Sequence, residues 1–521
     1  MRFENQRNMS SIKKLVGQTA IYGGTTILAR LLNYLLVPIH TYIFGTSQYG
    51  VVGELYAWVS LFNVILTYGM ETAFFNFSRL EGKKEKCYST AVVSLLVTSL
   101  LFAVICTVFS APIAQLLKYG SHPEYITWLA IIISIDALTS ITFAKLRHEM
   151  RAFRFAFVKI TNILVNILLN LFFLILCPYL LQQNIAVELV NRIYSPEIGV
   201  GYIFIANLAA SVVTILLLLP DILKGRFAFS WGLWKEMIHY AFPLLILGLA
   251  GIVNETMDRI MLKWLSPEDI AQSQVGIYSA CYKISILMTI VIQAFKYAAE
   301  PFFFSKAKES DAKEVYAIVM KYFVLFCSVM FAGIMLYMDI VQFFVGAEFR
   351  VGIGVVPILL LANMFLGIFY NLSIWYKLTG QTKFGAYIAL IGATITLILN
   401  YLLIPVMGYM GSAWTTFICY FVMMVLSYWW GQKHYRVDYS VARICLYIVS
   451  AVAIYGISRI IPIEYVSSVT LKDMKPLEQF VNYCGIASVQ LRLLVNTCLF
   501  LIYVGVLVMI ERKNFRLDIQ K

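Results

Sequence analysis

Charge is what this sequence has least of. Asp, Glu, Lys and Arg make up 13% of its 521 residues, where a soluble domain carries about 25%. A water-facing surface needs those charges, so a soluble globular protein is excluded. Histidine is sparse too, and His40, His122, His148, His239 and His434 do not cluster. The nine cysteines form no C-x-x-C pair and no Cys/His group, which argues against a metal site and a disulfide scaffold. Most sit in apolar runs, where cysteine acts as a small packing group. Walker A, H-E-x-x-H and G-x-S-x-G motifs are missing, so direct ATP coupling and common hydrolytic chemistries have no footing. No catalytic constellation is visible, and the chain reads as a protein that is not an enzyme.

What fills the sequence is apolar text: 60% hydrophobic residues and a mean hydropathy of +0.79. It comes in runs long enough for a helix to cross the hydrocarbon core, which takes about 20 residues. Fourteen such runs lie near 16–44, 50–78, 88–117, 125–150, 156–182, 199–223, 236–265, 276–304, 315–345, 353–379, 384–405, 409–432, 441–462 and 488–510. The expected fold is an all-α integral membrane protein. The first run follows Arg2, Arg7, Lys13 and Lys14. It is too long for a signal-peptide core and lacks an A-x-A cleavage site, so it reads as a retained first span. The longest connections, around 183–198 and 463–487, are too short for independent domains.

The net charge is +13, from 41 Lys and Arg against 28 Asp and Glu. In a soluble chain that excess would suggest nucleic acid, but no arginine-rich helix supports such a partner. In a membrane protein it reports topology, because cytoplasmic loops collect Lys and Arg. With the N-terminus in the cytoplasm, 29 basic residues fall on the cytoplasmic side and 8 on the other. An even number of spans then predicts that both termini are cytoplasmic.

The chain also repeats. Gly50 and Tyr56 open helix 2, and Gly276 and Tyr282 open helix 8; Ile167-Leu-Leu-Asn170-Leu returns as Leu397-Ile-Leu-Asn400-Tyr. Helices 1–6 and 7–12 therefore read as two parallel copies of one unit, an arrangement common in transporters. The expected division is an N-terminal lobe over 1–226, a C-terminal lobe over 227–436, and helices 13 and 14 with a cytoplasmic tail over 437–521.

Ionisable residues inside spans are expensive and usually face an interior or a wet cavity, which makes them the candidate site. Helix 1 aligns Thr19, Gly23, Thr26, Arg30, Asn33, Val37 and His40 on one face. Arg30 reads as a cavity cation or as one half of an ion pair. Helix 2 aligns Ser60, Asn63, Thr67 and Glu71, the last a cavity acid or the partner of a cation such as Arg79. Asp136, beside Thr139 and Ser140 on helix 4, is either a cation or proton site or hydrogen-bonded packing.

In the second half, Asp258 and Arg259 are neighbours on helix 7, about 100° apart around the axis. They are expected to pair with other helices and not with each other, as an interlobe clamp or an interfacial anchor. On helix 8, Lys296 and Glu300 are spaced to pair, while Lys283 lies off that face and is the better ligand candidate. Helix 10 carries Asn363, Tyr370, Ser373 and Lys377, the last placed to snorkel. Asn162, Asn166 and Asn170 on helix 5 read as interhelical packing. Cations on helices 1 and 8 would suit an anionic substrate such as a phosphate or carboxylate.

Five motifs carry a family resemblance: Gly23-Gly24-x5-Arg30, Gln48-Tyr-Gly50, Asp258-Arg-Ile-Met-Leu262, Glu300-Pro-Phe-Phe303 and Asn400-Tyr-x2-Ile-Pro405-x2-Gly408-x2-Gly411. In this order the chain resembles the polysaccharide-exporter branch, or O-antigen (Wzx-type) flippases, of the multidrug/oligosaccharidyl-lipid/polysaccharide (MOP) superfamily. The likeness spans essentially the whole chain. It implies two six-helix lobes that alternate between inward-open and outward-open states. It implies a substrate, an undecaprenyl-pyrophosphate-linked oligosaccharide, flipped across the bacterial inner membrane for lipopolysaccharide assembly.

The resemblance also implies cavity cations for the pyrophosphate, matched by position to Arg30, Lys283, Lys296 and Arg259. It implies no cofactor beyond coupling to H⁺ or Na⁺ in some relatives, with Asp136, Glu71 or Glu300 available and Asp258 a charge-pair candidate. Membrane lipids, a polysaccharide polymerase and other assembly proteins are the implied partners. Two rivals remain. A multidrug/cation antiporter of the same superfamily would be expected to have an acidic, aromatic cavity. A membrane polymerase or ligase would need a large outer loop with catalytic Arg or His, and the segment 463–487 has no histidine.

Overall fold

A computed structural model describes residues 22–79, 84–224, 228–307, 309–461 and 475–519, with side chains to residue 512. Fourteen helices among them are long and apolar enough to span a membrane. They are α1 (Tyr22–Ile43), α2 (Thr46–Phe77), α3 (Lys84–Val108), α4 (Pro123–His148), α5 (Ala152–Gln182), α6 (Gly201–Leu223) and α7 (Trp231–Leu265), then α8 (Glu268–Lys306), α9 (Ala312–Leu336), α10 (Val355–Leu378), α11 (Lys383–Met407), α12 (Tyr409–His434), α13 (Val441–Ile460) and α14 (Ala487–Arg512). No strand occurs among the described residues. The fold class and span count agree with the hydropathy pattern. Thr19 of the helix 1 stripe and Lys472 of the last outer loop lie outside the described residues.

Boundaries differ where glycine or proline changes its meaning. Gly50 and Gly276 were expected at helix starts, yet each lies inside a helix. They mark a crossing of α2 and α8. A Cβ on Gly50 would lie 2.0 Å from the Gln272 carbonyl oxygen, and one on Gly276 would lie 1.8 Å from that of Thr46. The two backbones pack against each other with no room for a side chain. The Thr46 and Ser273 hydroxyls hydrogen-bond beside the crossing at 2.7 Å.

Four spans are interrupted, α10 at Ser373 and three others. α1 breaks at Leu35, three residues before Pro38, where the proline can neither donate nor clear the preceding carbonyl. α2 breaks at Tyr68 and Gly69, both at positive φ (33° and 70°). A Cβ on Gly69 would lie 3.0 Å from the Ala241 carbonyl oxygen of α7, so glycine serves both the turn and the close approach. α5 widens to a π-helical turn at Phe172–Leu176, just before Pro178, which absorbs the missing donor.

The chain forms two compact units. The first takes residues up to Leu36 and Glu54–Thr256; the second takes Val37–Gly53 and the chain from Met257 on. In the first, α4 packs against α3 and α6, and α5 against α6. Its core includes Met70, Phe74, Tyr88, Leu95, Ile141, Leu146, Val158 and Met237. In the second, α10 is central and packs on α8 and α12, while α11 packs on α12.

Helices α13 and α14 belong to the second unit. Near one end, Lys321 of α9 meets Glu511 of α14 at 3.1 Å, each side chain 6% exposed. Tyr447 of α13 donates to Glu511, and Arg443 lies 3.7 Å from it. Toward the other end, Arg492 of α14 pairs with Asp339 at 3.1 Å, again buried, and Tyr483 donates to the same carboxylate oxygen. Buried ion pairs of this kind fix a partner arrangement more than they stabilise it.

Candidate functional site

In the first unit, Glu71 of α2 pairs with Arg147 of α4 and not with Arg79. The reason is geometric. The break at Tyr68–Gly69 re-aims the last helical piece of α2, and that piece packs on α4. The Arg147 guanidinium also sits 5.4 Å from the centre of the Phe75 ring.

Asp136 of α4 accepts a hydrogen bond from Ser211 of α6 at 3.1 Å. Its electrostatic partner is Lys159 of α5, whose ammonium lies 4.3 Å over the Phe143 ring. Lys159 lies about two turns inside its span. The asparagine row behaves as packing: Asn162 donates to Thr214 at 2.9 Å and Asn166 to Asn33 at 3.3 Å. Arg30 is exposed on α1, and it forms no ion pair among the described residues.

Asp221, near the end of α6, was not singled out by sequence. It is buried and receives Arg151 at 2.7 Å and Arg154 at 3.2 Å. The Asp221 hydrogen bond holds the Arg151 guanidinium above its ordinary pKa. This cluster ties the α4–α5 connection to α6.

In the second unit, Asp258 and Arg259 do pair with each other, at 3.1 Å, against the expectation. The Arg259 side chain is long enough to fold back over the helix turn, and its backbone N–H donates to the same oxygen of Asp258 at 2.8 Å. Tyr278 of α8 donates to the second oxygen at 2.6 Å. The guanidinium stacks 4.4 Å from the centre of the Tyr282 ring. Lys283, the next residue, is half-buried.

The other sequence-selected groups of this unit converge. Lys296 and Glu300 of α8 and Tyr370, Ser373 and Lys377 of α10 line one narrow cavity, with Asn371. Glu300 pairs with Lys377 at 2.8 Å across the two helices, not with Lys296 one turn back. Lys296 lies 4.4 Å over the Tyr370 ring. α10 is interrupted at Ser373, which brings Lys377 round to α8. The amide nitrogen of Asn371 is buried without a hydrogen-bond partner among the described residues. Two ammonium groups, one carboxylate and an unsatisfied amide donor make a cavity suited to phosphate oxygens. The sequence reading did not single out Asn371, which lies about 100° round the helix from Tyr370.

A family model described as "Polysaccharide biosynthesis protein" matches residues 15–306. Among solved structures, the lipid II flippase MurJ in an inward closed conformation aligns with a TM-score of 0.68 and 13% identity, covering 94% of this chain and 98% of that one. An inward-facing multidrug resistance MATE family transporter of the MOP superfamily aligns with a TM-score of 0.61 and 16% identity, covering 80% and 95%. A MATE structure in complex with MaD3S gives 0.56 and 14%, covering 84% and 96%. A comparison with curated proteins returned no match. At these identities the structural likeness establishes the fold, which is that of MOP-superfamily transporters.

Proposed function

Because the chain belongs to the polysaccharide biosynthesis protein family, we propose that it is a flippase for lipid-linked oligosaccharides. The substrate is an undecaprenyl-pyrophosphate-linked repeat unit, carried from the cytoplasmic to the outer leaflet of the bacterial inner membrane by alternating access. Both termini lie in the cytoplasm, and the product feeds assembly of O-antigen and lipopolysaccharide. The single observation that carries the reading is the cationic cavity of α8 and α10, with two lysines and an unmet amide donor inside a membrane fold. Ionisable residues inside a membrane that line a cavity mark a candidate substrate path. Arg30, exposed on α1, adds a cation of the same kind.

The fold shared with a lipid II flippase supports a lipid-linked substrate. MATE transporters share it too, so the fold alone leaves a multidrug antiporter open; the paired lysines of the cavity weigh against a cationic drug. For coupling to H⁺ or Na⁺, Asp136 is the best acid in the first unit. Its carboxylate has one hydroxyl partner and one cation beside it, whereas Glu71 is engaged by Arg147.

Reconstitution tests the proposal. Purified protein in liposomes should move a fluorescent undecaprenyl-diphosphate oligosaccharide from one leaflet to the other, read by protection from an impermeant quencher. Movement no faster than in protein-free liposomes under an imposed H⁺ or Na⁺ gradient contradicts it.

A further inference from the structure

We propose that Glu300 is a built-in competitor for the substrate's phosphate: it holds Lys377, must yield it to an entering diphosphate, and reclaims it to expel the bound group. This rests on the flippase reading and assigns the α8–α10 cavity as the diphosphate subsite.

The geometry supplies the exchange. Lys377 reaches across to Glu300 at 2.8 Å, with the two side chains 28% and 38% exposed. Neither side chain is enclosed by the protein, so the ammonium is accessible to another anion that arrives. Lys296 stands one helical turn from Glu300 on the same face and lines the same cavity. A diphosphate diester carries two negative charges, matched by the two lysines. Asn371 is 4% exposed, lines the cavity, and has an amide nitrogen with no partner among the described residues. A buried donor left unmet is unfavourable, and a phosphate oxygen is an acceptor that fits it. As it stands the cavity has free space of only about 20 Å³, on the scale of one water, so a phosphate enters only as Lys377 leaves Glu300 and the side chains part.

The carboxylate then explains itself. A cavity built only for affinity would place two lysines and an amide there and no acid. Glu300 adds a like charge beside the bound phosphate and weakens it. A carrier needs that, since binding must be weak enough for the ligand to leave. Tight binding of the loaded state deepens a well without lowering the barrier out of it.

The test uses full-length protein in lipid nanodiscs with farnesyl diphosphate as probe and farnesol as the uncharged comparison. Glu300→Gln keeps shape and removes the charge. It should bind the probe roughly two- to fivefold more tightly, while cells carrying it export surface polysaccharide more slowly. Lys377→Met and Asn371→Ala should each weaken binding, and none of the three should change affinity for farnesol. Glu300→Ala gives the same readout if the glutamine variant is not recovered. Affinity equal to or below that of the unaltered protein in the Glu300 variants overturns the proposal while leaving the flippase reading intact. No binding of farnesyl diphosphate by the unaltered protein removes the subsite, while the liposome assay decides the flippase reading separately.

Discussion

Gly50 of α2 and Gly276 of α8 approach so closely that neither has room for a methyl group. The sequence pattern pairs them as openers of two similar helices, and they meet in the structure. The contact is backbone on backbone, flanked by Gly53, whose Cβ would lie 2.3 Å from the Ser279 hydroxyl oxygen. Small residues allow this closeness, and dispersion between well-packed backbones is a main source of helix association in a membrane.

Alanine at either glycine should therefore push α2 and α8 apart. The expected loss is about 1–3 kcal/mol for an overpacked contact, read as a lower thermal transition of the purified protein. Gly505 of α14, which has open space where its Cβ would go, is the control: Gly505→Ala should leave that transition unchanged. Equal transitions for all three variants would show that the crossing is looser than described.

Glu71 and Arg147 form an ion pair between α2 and α4, with side chains about one-third exposed. If the pair is structural, reversing it as Glu71→Arg with Arg147→Glu should restore export that Glu71→Arg alone abolishes. A reversal that rescues nothing would return Glu71 to the list of coupling acids.

Much of this was legible in the sequence. Fourteen apolar runs gave the spans because a lipid-facing helix must be apolar along about 20 residues, and the structure adds no span and removes none. Lys296, Glu300, Tyr370, Ser373 and Lys377 were all marked as polar text inside apolar runs, and they share one cavity. The partners were harder. Spacing along one helix joined Lys296 to Glu300, but the interruption of α10 at Ser373 brings Lys377 instead. Asp221, Asp339 and Glu511 were passed over because each lies at the edge of an apolar run, where a charge reads as loop. Burial sets their roles, and burial depends on which helices pack together.

Lys321 and Glu511 lock α9 to α14 in a buried pair. Lys321→Met leaves the buried Glu511 carboxylate with Tyr447 and the more distant Arg443 at 3.7 Å, and should destabilise the protein by up to about 3 kcal/mol. Adding Glu511→Gln should recover most of that loss. A single variant as stable as the unaltered protein would place water or another cation at Glu511.

Variants at Arg30 and Asp136 test their proposed roles in substrate binding and coupling. Arg30→Ala should abolish export with normal membrane insertion, judged by protein level in the membrane fraction; retained export removes Arg30 from the site. Asp136→Asn should change the dependence of transport on H⁺ or Na⁺, measured in liposomes under imposed gradients. An unchanged dependence leaves Asp136 as the hydrogen-bonded neighbour of Ser211.

The most direct test of the central claim is deletion of the gene in its host, followed by extraction of lipid-linked sugars and assignment of their leaflet. The flippase account predicts that undecaprenyl-pyrophosphate oligosaccharide accumulates on the cytoplasmic leaflet while surface polysaccharide disappears. Single, unpolymerised repeat units on the outer leaflet would contradict it, because the flip would then have happened without this protein.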